Sequence, residues 1–190
     1  DAPITPGLGS HRGLREDITR YYAGQLTANG HRFTPDHLVI QASVYVADSK
    51  AQAVQEASPY TLYFNQTLFS HGNNTEETVQ RSTGYVAPAA YDYVRPENLP
   101  ALAGERSAYR DATPESVARA AEHLPWGTPD EIVERIIDDA DHAGANTVLV
   151  SMNRGAMPQD LFLNQIRRFG AEVLPRLHAH TVKPPAFLQG

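Results

Sequence analysis

The stretch Trp126-Gly-Thr-Pro-Asp-Glu131-Ile-Val-Glu-Arg-Ile136-Ile-Asp-Asp-Ala-Asp141-His-Ala-Gly-Ala-Asn146-Thr-Val-Leu-Val-Ser151 reads as a complete helix that feeds directly into a strand. Thr128 is a good N-cap, Pro129 carries the φ preset for a first helical position, and Glu131 stands where it closes a capping box. Ile132, Val133, Ile136, Ile137, Ala140 and Ala143 recur by threes and fours as a buried face, and Gly144 supplies the stop. These signals predict a helix over 129–143 and a short apolar strand over 147–152.

Working outward, Leu38-Val-Ile-Gln-Ala-Ser-Val-Tyr-Val46 puts apolar side chains at every even position and Gln41, Ser43 and Tyr45 on the other face, which predicts a strand. Before it, Leu14, Ile18, Tyr21/Tyr22 and Leu26 share one helical face, and Asn29-Gly30 ends a helix over 13–29. After it, Ser49 stands three residues before Gln52, the pattern that starts a helix through Ala53, Val54 and Ala57. Pro59 is expected to break or kink that helix ahead of Tyr60, Tyr63, Phe64 and Phe69. At the far end, Pro158 opens a helix over 158–177 with Phe162, Ile166, Phe169, Val173 and Leu177 as its core face. Between 72 and 122 periodicity fades apart from a short helix from Thr113-Pro114 to about Glu122, so the segment reads as a lid-like insertion. Residues 178–190 read as a frayed tail.

Helices alternating with strands argue for α/β architecture with parallel βα units in one domain over 1–190. Only two convincing strands are present, too few for a closed (β/α)8 barrel, which usually needs about 250 residues. The composition excludes other classes. Sixteen Lys and Arg against 22 Asp and Glu leave a charge of −6 with no basic cluster, so no nucleic acid is expected as a partner. No apolar run is long enough to cross a membrane. The absence of cysteine excludes disulfides, thiolate metal sites and a Cys nucleophile, and fits a cytoplasmic location. Asp1-Ala-Pro-Ile-Thr-Pro-Gly7 has neither an initiator Met nor a signal-peptide pattern and reads as a chain cut into.

Several motifs have plain readings. Gly7-Leu-Gly-Ser-His-Arg-Gly13 misses the dinucleotide spacing by one position and follows no strand. The eight histidines include no His-Glu-x-x-His, so no metal is expected. Glu134, Asp138, Asp139 and Asp141 read as a solvated acidic face, and the sequons at Asn65 and Asn73 matter only in a secreted protein. Met152 and Met157 suit gap-filling. Arg154-Gly155, directly after the 147–152 strand, offers either a cation with close backbone approach to an anion or a solvated turn. Trp126, the sole tryptophan, suits either core packing or ligand contact.

Trp126-Gly-Thr-Pro-Asp-Glu-Ile-Val-Glu-Arg-Ile, Ala143-Gly-Ala-Asn-Thr-Val-Leu-Val-Ser, Met157-Pro and Phe169-Gly-Ala-Glu-Val-Leu-Pro-Arg-Leu together resemble the C-terminal signature of the bacterial-luciferase-like, flavin-dependent monooxygenases. Upstream, Tyr21-Tyr22 through Gly30-His31, Val44-Tyr-Val-Ala-Asp48 and the Ala-rich helix after it resemble the same family, so the likeness covers most of 14–177. It implies the C-terminal part of a (β/α)8 TIM barrel: its sixth helix, seventh strand, an insertion, seventh helix, eighth strand and eighth helix. It also implies oxygenation of a small organic substrate with O2 and reduced FMN, the flavin being supplied by a separate reductase.

The family's catalytic histidine and much of its flavin-phosphate cradle lie on earlier strands, so no catalytic residue is assigned here. Barrel active sites lie at the C-terminal strand ends, which makes Trp126, Ser151, Met152, Asn153 and Arg154 candidates for cofactor binding. Tyr45, with Gly104 and Arg106 in the lid-like insertion, are candidates for substrate contact. Two parallel strands with open edges imply a homo-oligomer or a second chain that supplies the missing strands. The rival expectation is a non-catalytic βα interaction module that uses 72–122 to bind a partner.

Overall fold

A computed structural model describes residues 2–5, 11–69, 94–98, 112–183 and 185–188. Four helix starts in it are local devices. His11 Nδ1 accepts from the Leu14 N–H to open α1, Arg12–Ala28, which ends at Asn29 and turns on Gly30. The strand read over 38–46 divides into β1, Val39–Ser43, and β2, Tyr45–Val46. Ser49 Oγ accepts from Gln52 N at 3.1 Å and starts α2, Lys50–Tyr63. Thr113 and Ser116 cap each other around Pro114 to begin α3, Pro114–Ala121. A two-residue strand, β3, spans Trp126–Gly127. The full capping box expected at Thr128 opens α4, Pro129–Ala143, with Thr128 N donating to Glu131 at 2.8 Å and Glu131 N to Thr128 Oγ1 at 3.3 Å. Then follow β4, Thr147–Ser151, and the last helical stretch. That stretch is α5, Gln159–Arg168, a π-helical turn at Phe169–Val173, and α6, Leu174–His178.

The division of the first strand has a geometric cause. β1 pairs in parallel with β4 from Val39↔Thr147 to Ser43↔Ser151, and Val44 N still donates to Ser151 O at 2.9 Å. Successive strand amides point to opposite edges, so Tyr45 N turns to Pro125 O and Ala47 N to Gly127 O, which builds the β2–β3 pair. Two residues carry no periodicity, so β3 has no sequence signal. On that same edge, 2–5 contribute a parallel bridge of Ile4 to Leu38. Among the described residues the sheets are two-stranded and no barrel closes.

The core lies between the strands and α4. Ala42, Val44 and Val46 pack on Ile132, Val133, Ile136, Phe169 and Val173, with Val148 and Val150 joining from β4. Burying a side chain such as Ile132 contributes about 1.5–3 kcal/mol. The opposite face is bare: Gln41, Thr147 and Ser151 are exposed, and Leu149 is 53% exposed.

Several expectations need correction. Of the break or kink expected at Pro59, the break does not occur: α2 runs through it, with Pro59 exposed and Ala53, Ala57 and Thr61 buried. The helix runs on into a π-helical turn at Phe64–Phe69. Ile166 is not core but 44% exposed. Its neighbour Gln165 is buried instead, its amide accepting from Val46 N at 2.7 Å and donating to Val46 O at 3.0 Å, where a strand would otherwise sit. The acidic face of α4 is solvated at Glu134, as expected, but Asp138, Asp139 and Asp141 are paired. Arg12 meets Asp138, Arg15 meets Asp139 at 3.3 Å, Arg135 meets Asp139 at 2.9 Å, and Asp141 meets His180 at 2.8 Å.

The tail makes further contacts where it is described: Lys183 N donates to Asp141, and Phe187 lies under the Arg20 guanidinium. Gly144, at φ 70°, ends α4 so closely against Pro185 that a Cβ there would lie 2.5 Å from the proline ring. Of the insertion 72–122, residues 94–98 and 112–122 are described. Buried Asp17 of α1 clamps the first of these, accepting from Arg95 N at 2.9 Å, Arg95 Nε at 2.6 Å and Asn98 Nδ2 at 2.7 Å. Burial alone would raise the Asp17 pKa, but those donors outweigh it and hold the carboxyl below its ordinary value.

Candidate functional site

At the C-terminal ends of β1, β2 and β4 the chain encloses a small pocket. Its floor is Ser43, Val44 and Tyr45, one wall is Ala57, Tyr60 and Thr61 of α2, and the rest is Trp126, Met152, Arg154 and Met157. Parallel pairing is what brings these distant segments together, since Ser43 and Ser151 are in register and the residues after them emerge on the same side.

Tyr45 is 1% exposed, and its phenol donates to Glu56 at 2.9 Å, while Gln52 Nε2 donates to the other Glu56 oxygen at 2.8 Å. Burial, then the Glu56 carboxylate, push the Tyr45 pKa well above the ordinary phenol value, so it stays a neutral donor and has no role as a base. Trp126 is held by its backbone N–H, which donates to the Leu124 carbonyl at 2.8 Å, and Lys50 donates to the same carbonyl at 2.8 Å. Its ring is 1% exposed, yet Nε1 has no hydrogen-bond partner among the described residues, and neither has Thr61 Oγ1. A buried donor left unmet costs about 1–3 kcal/mol, so this pair is an invitation to a ligand or an ordered water.

Arg154 Nε donates to Ser43 Oγ at 3.1 Å, and its guanidinium lies 5.4 Å from the Phe64 ring centroid. The loop that carries it is tightly turned: Asn153 Oδ1 accepts from Gly155 N at 2.8 Å, Gly155 has φ 78° and Ala156 has φ 54°. Ala156 is the non-glycine residue with positive φ among those described, and such strain concentrates beside functional loops.

Of the candidates, Tyr45, Trp126, Met152 and Arg154 meet in the pocket; Ser151 is exposed opposite Ser43, and Asn153 caps its own loop. Gly104 and Arg106 lie outside the described residues. Sequence reasoning missed Thr61, Tyr60 and Ser43; the spacing Ala53, Ala57, Thr61 on one face of α2 is the signal that pointed to the wall.

Toward FMN the residues fit in part. The unmet donors suit an acceptor atom, but the enclosed space is about 10 Å³, room for one water rather than a ring. For the phosphate the fit is absent, because the backbone donor beside Arg154 is already taken by Asn153. No group of three or more metal-ligating side chains exists among the described residues, and no helix there is long and apolar enough to cross a membrane.

Fold and site together define an α/β protein of parallel βα units with a pocket at the strand ends. No protein-family model matches the chain, and no curated protein matches it. Among solved structures it is similar to the monooxygenase RslO1 from Streptomyces bottropensis, with a TM-score of 0.51 and 18% identity over 94% of this chain. That likeness is one of fold. The chain spans 41% of the RslO1 chain, under half its length.

Proposed function

We propose that this chain is the C-terminal portion of a luciferase-like flavin-dependent monooxygenase, the last third or so of a (β/α)8 barrel that oxygenates a small organic substrate. The observation that carries the reading is the meeting of Tyr45, Trp126, Met152 and Arg154 in one pocket at the C-terminal strand ends, the end at which barrel enzymes work. The fold likeness to a monooxygenase supports it. Reduced FMN, delivered by a separate reductase, supplies the reaction with O2. The residues of this chain bind, orient and exclude water: Trp126 and Thr61 donate to the ligand, Tyr60 and the two methionines cover its faces, and Arg154 holds positive charge beside it. The phosphate cradle and the catalytic groups come from elsewhere. A second copy or a separate polypeptide completes the sheet along the open edge of β4.

The experiment is light scattering to establish assembly, followed by anaerobic calorimetric titration of the assembled protein with reduced FMN. Saturable micromolar binding that Arg154→Ala abolishes is the expected result. Assembled protein that takes up no reduced FMN at millimolar concentration overturns the reading.

A further inference from the structure

Glu16 of α1 stands between a cation and a titratable group. Its Oε2 accepts from Arg95 Nη2 at 3.1 Å, as one arm of the clamp that holds 94–98, while its Oε1 lies 3.4 Å from His142 Nε2 on α4. That Nε2 is enclosed and has no hydrogen-bond partner among the described residues. Charged groups reach this site from each element packed against it. α1 presents Arg12, Arg15 and Glu16, and α4 presents Asp138. From the tail, the Phe187 ring centroid lies 6.2 Å from the imidazole, and His180 and Lys183 act on the neighbouring Asp141. Around Glu16 and Arg95 stand Arg20, 3.8 Å from the same Glu16 oxygen, and Glu97, 3.8 Å from Arg95. Burial, then the Arg12 guanidinium, hold the His142 pKa below its ordinary value of 6.5; Arg15 adds to them, and Glu16 and Asp138 oppose them.

A carboxylate shared by two cations serves each less well than it serves one, because the cations repel across it. Docked Arg95 draws on Glu16, the carboxylate that favours an imidazolium at His142, and so disfavours a proton there. Linkage is reciprocal, so a proton on His142 disfavours docked Arg95 to the same degree. We propose that His142 is a proton sensor for the insertion: its protonation recruits Glu16 and slackens the Arg95 anchor of 94–98. The anchor is not freed at this step. Asp17 still accepts from Arg95 N and Nε, and its carboxyl gains a proton only below 3.8. Mild acid therefore loosens the segment and stronger acid releases it, two steps carried by two different carboxylates. The device concerns the holding of 94–98 and stands apart from the activity proposed above.

The full chain, labelled with 13C and 15N, is titrated from pH 7.5 to 5 by NMR, with the His142 imidazole signal assigned by its loss in His142→Gln. Amide-exchange protection at Arg95 is followed over the same range. Protection is expected to fall about two- to fivefold along the His142 titration, the scale of a partly exposed ion pair, and to stay level in His142→Gln. The reciprocal measurement separates a relay from a general loosening of the fold. Arg95→Gln is expected to raise the proton affinity of His142 by the same factor, whereas Glu16→Gln lowers that affinity and flattens the response at Arg95. Arg95 is 41% exposed at its side chain, so its replacement leaves the core intact and the reciprocal test readable. A His142 midpoint that Arg95→Gln leaves in place or lowers overturns the proposal. So does Arg95 protection that is level in the parent chain, or that still falls in His142→Gln.

Discussion

β4 has two faces that could hardly differ more. Val148 and Val150 join a core with Ile132 at 0% exposure, while Leu149 between them is 53% exposed beside Gln41 of β1. Strands in parallel sheets are normally covered on both faces. One face of this sheet is finished by the chain's own helices, while the other is exposed at Gln41, Leu149 and Ser151. The contrast teaches which face the chain's own helices bury and which face they leave exposed.

The comparison breaks most violently from the finished side. Ile132→Ala removes a wholly buried side chain and is expected to cost about 2–5 kcal/mol in denaturant unfolding; a loss below about 1 kcal/mol would show that α4 does not carry the core. Next comes Gln165→Leu, similar in size but unable to bond Val46. Two buried backbone groups lose their partner, and a loss of about 1–3 kcal/mol is expected.

Acid sharpens the picture at the Asp17 clamp. The folded pKa of Asp17 lies below the ordinary value of 3.8, so the clamp's contribution is complete above that value and is lost as pH falls through the folded pKa. A thermal-unfolding series from pH 7 downward is expected to show this decline in the parent chain and a flatter profile in Asp17→Asn; parallel profiles would refute it. Smallest of all is Leu149→Thr, expected to change the stability of the isolated chain by no more than about 0.5 kcal/mol while weakening its assembly in sedimentation. A large loss of monomer stability would mean that the bare face is already covered.

What the sequence made legible was what it encodes locally. Thr128, Pro129, Glu131 and Gly144 lie within the turns they control, so α4 is readable residue by residue. The same holds for β4 and for Arg154-Gly155 as a turn after it. Pairing between distant segments was not legible. Trp126–Gly127 becomes a strand only because Tyr45 and Ala47 turn their amides to that edge, and Gln165 displaces Ile166 from the core only because Val46 needs a partner. Four of the ten lining residues, Tyr45, Trp126, Met152 and Arg154, were visible, and Thr61 was missed because the spacing Ala53, Ala57, Thr61 marks a buried helix face without saying what that face meets.

Gln165 also couples two distant parts of the chain. It lies 119 positions from Val46, and the β1–β4 register joins residues more than 100 apart, so neither contact rewards the chain until a long loop has closed. The amide of Gln165 has nothing to grip before the strand end at Val46 is in place. The last helix is therefore tied to the strands by a contact that only the assembled sheet end can offer, so its docking and the strand pairing stand or fall together.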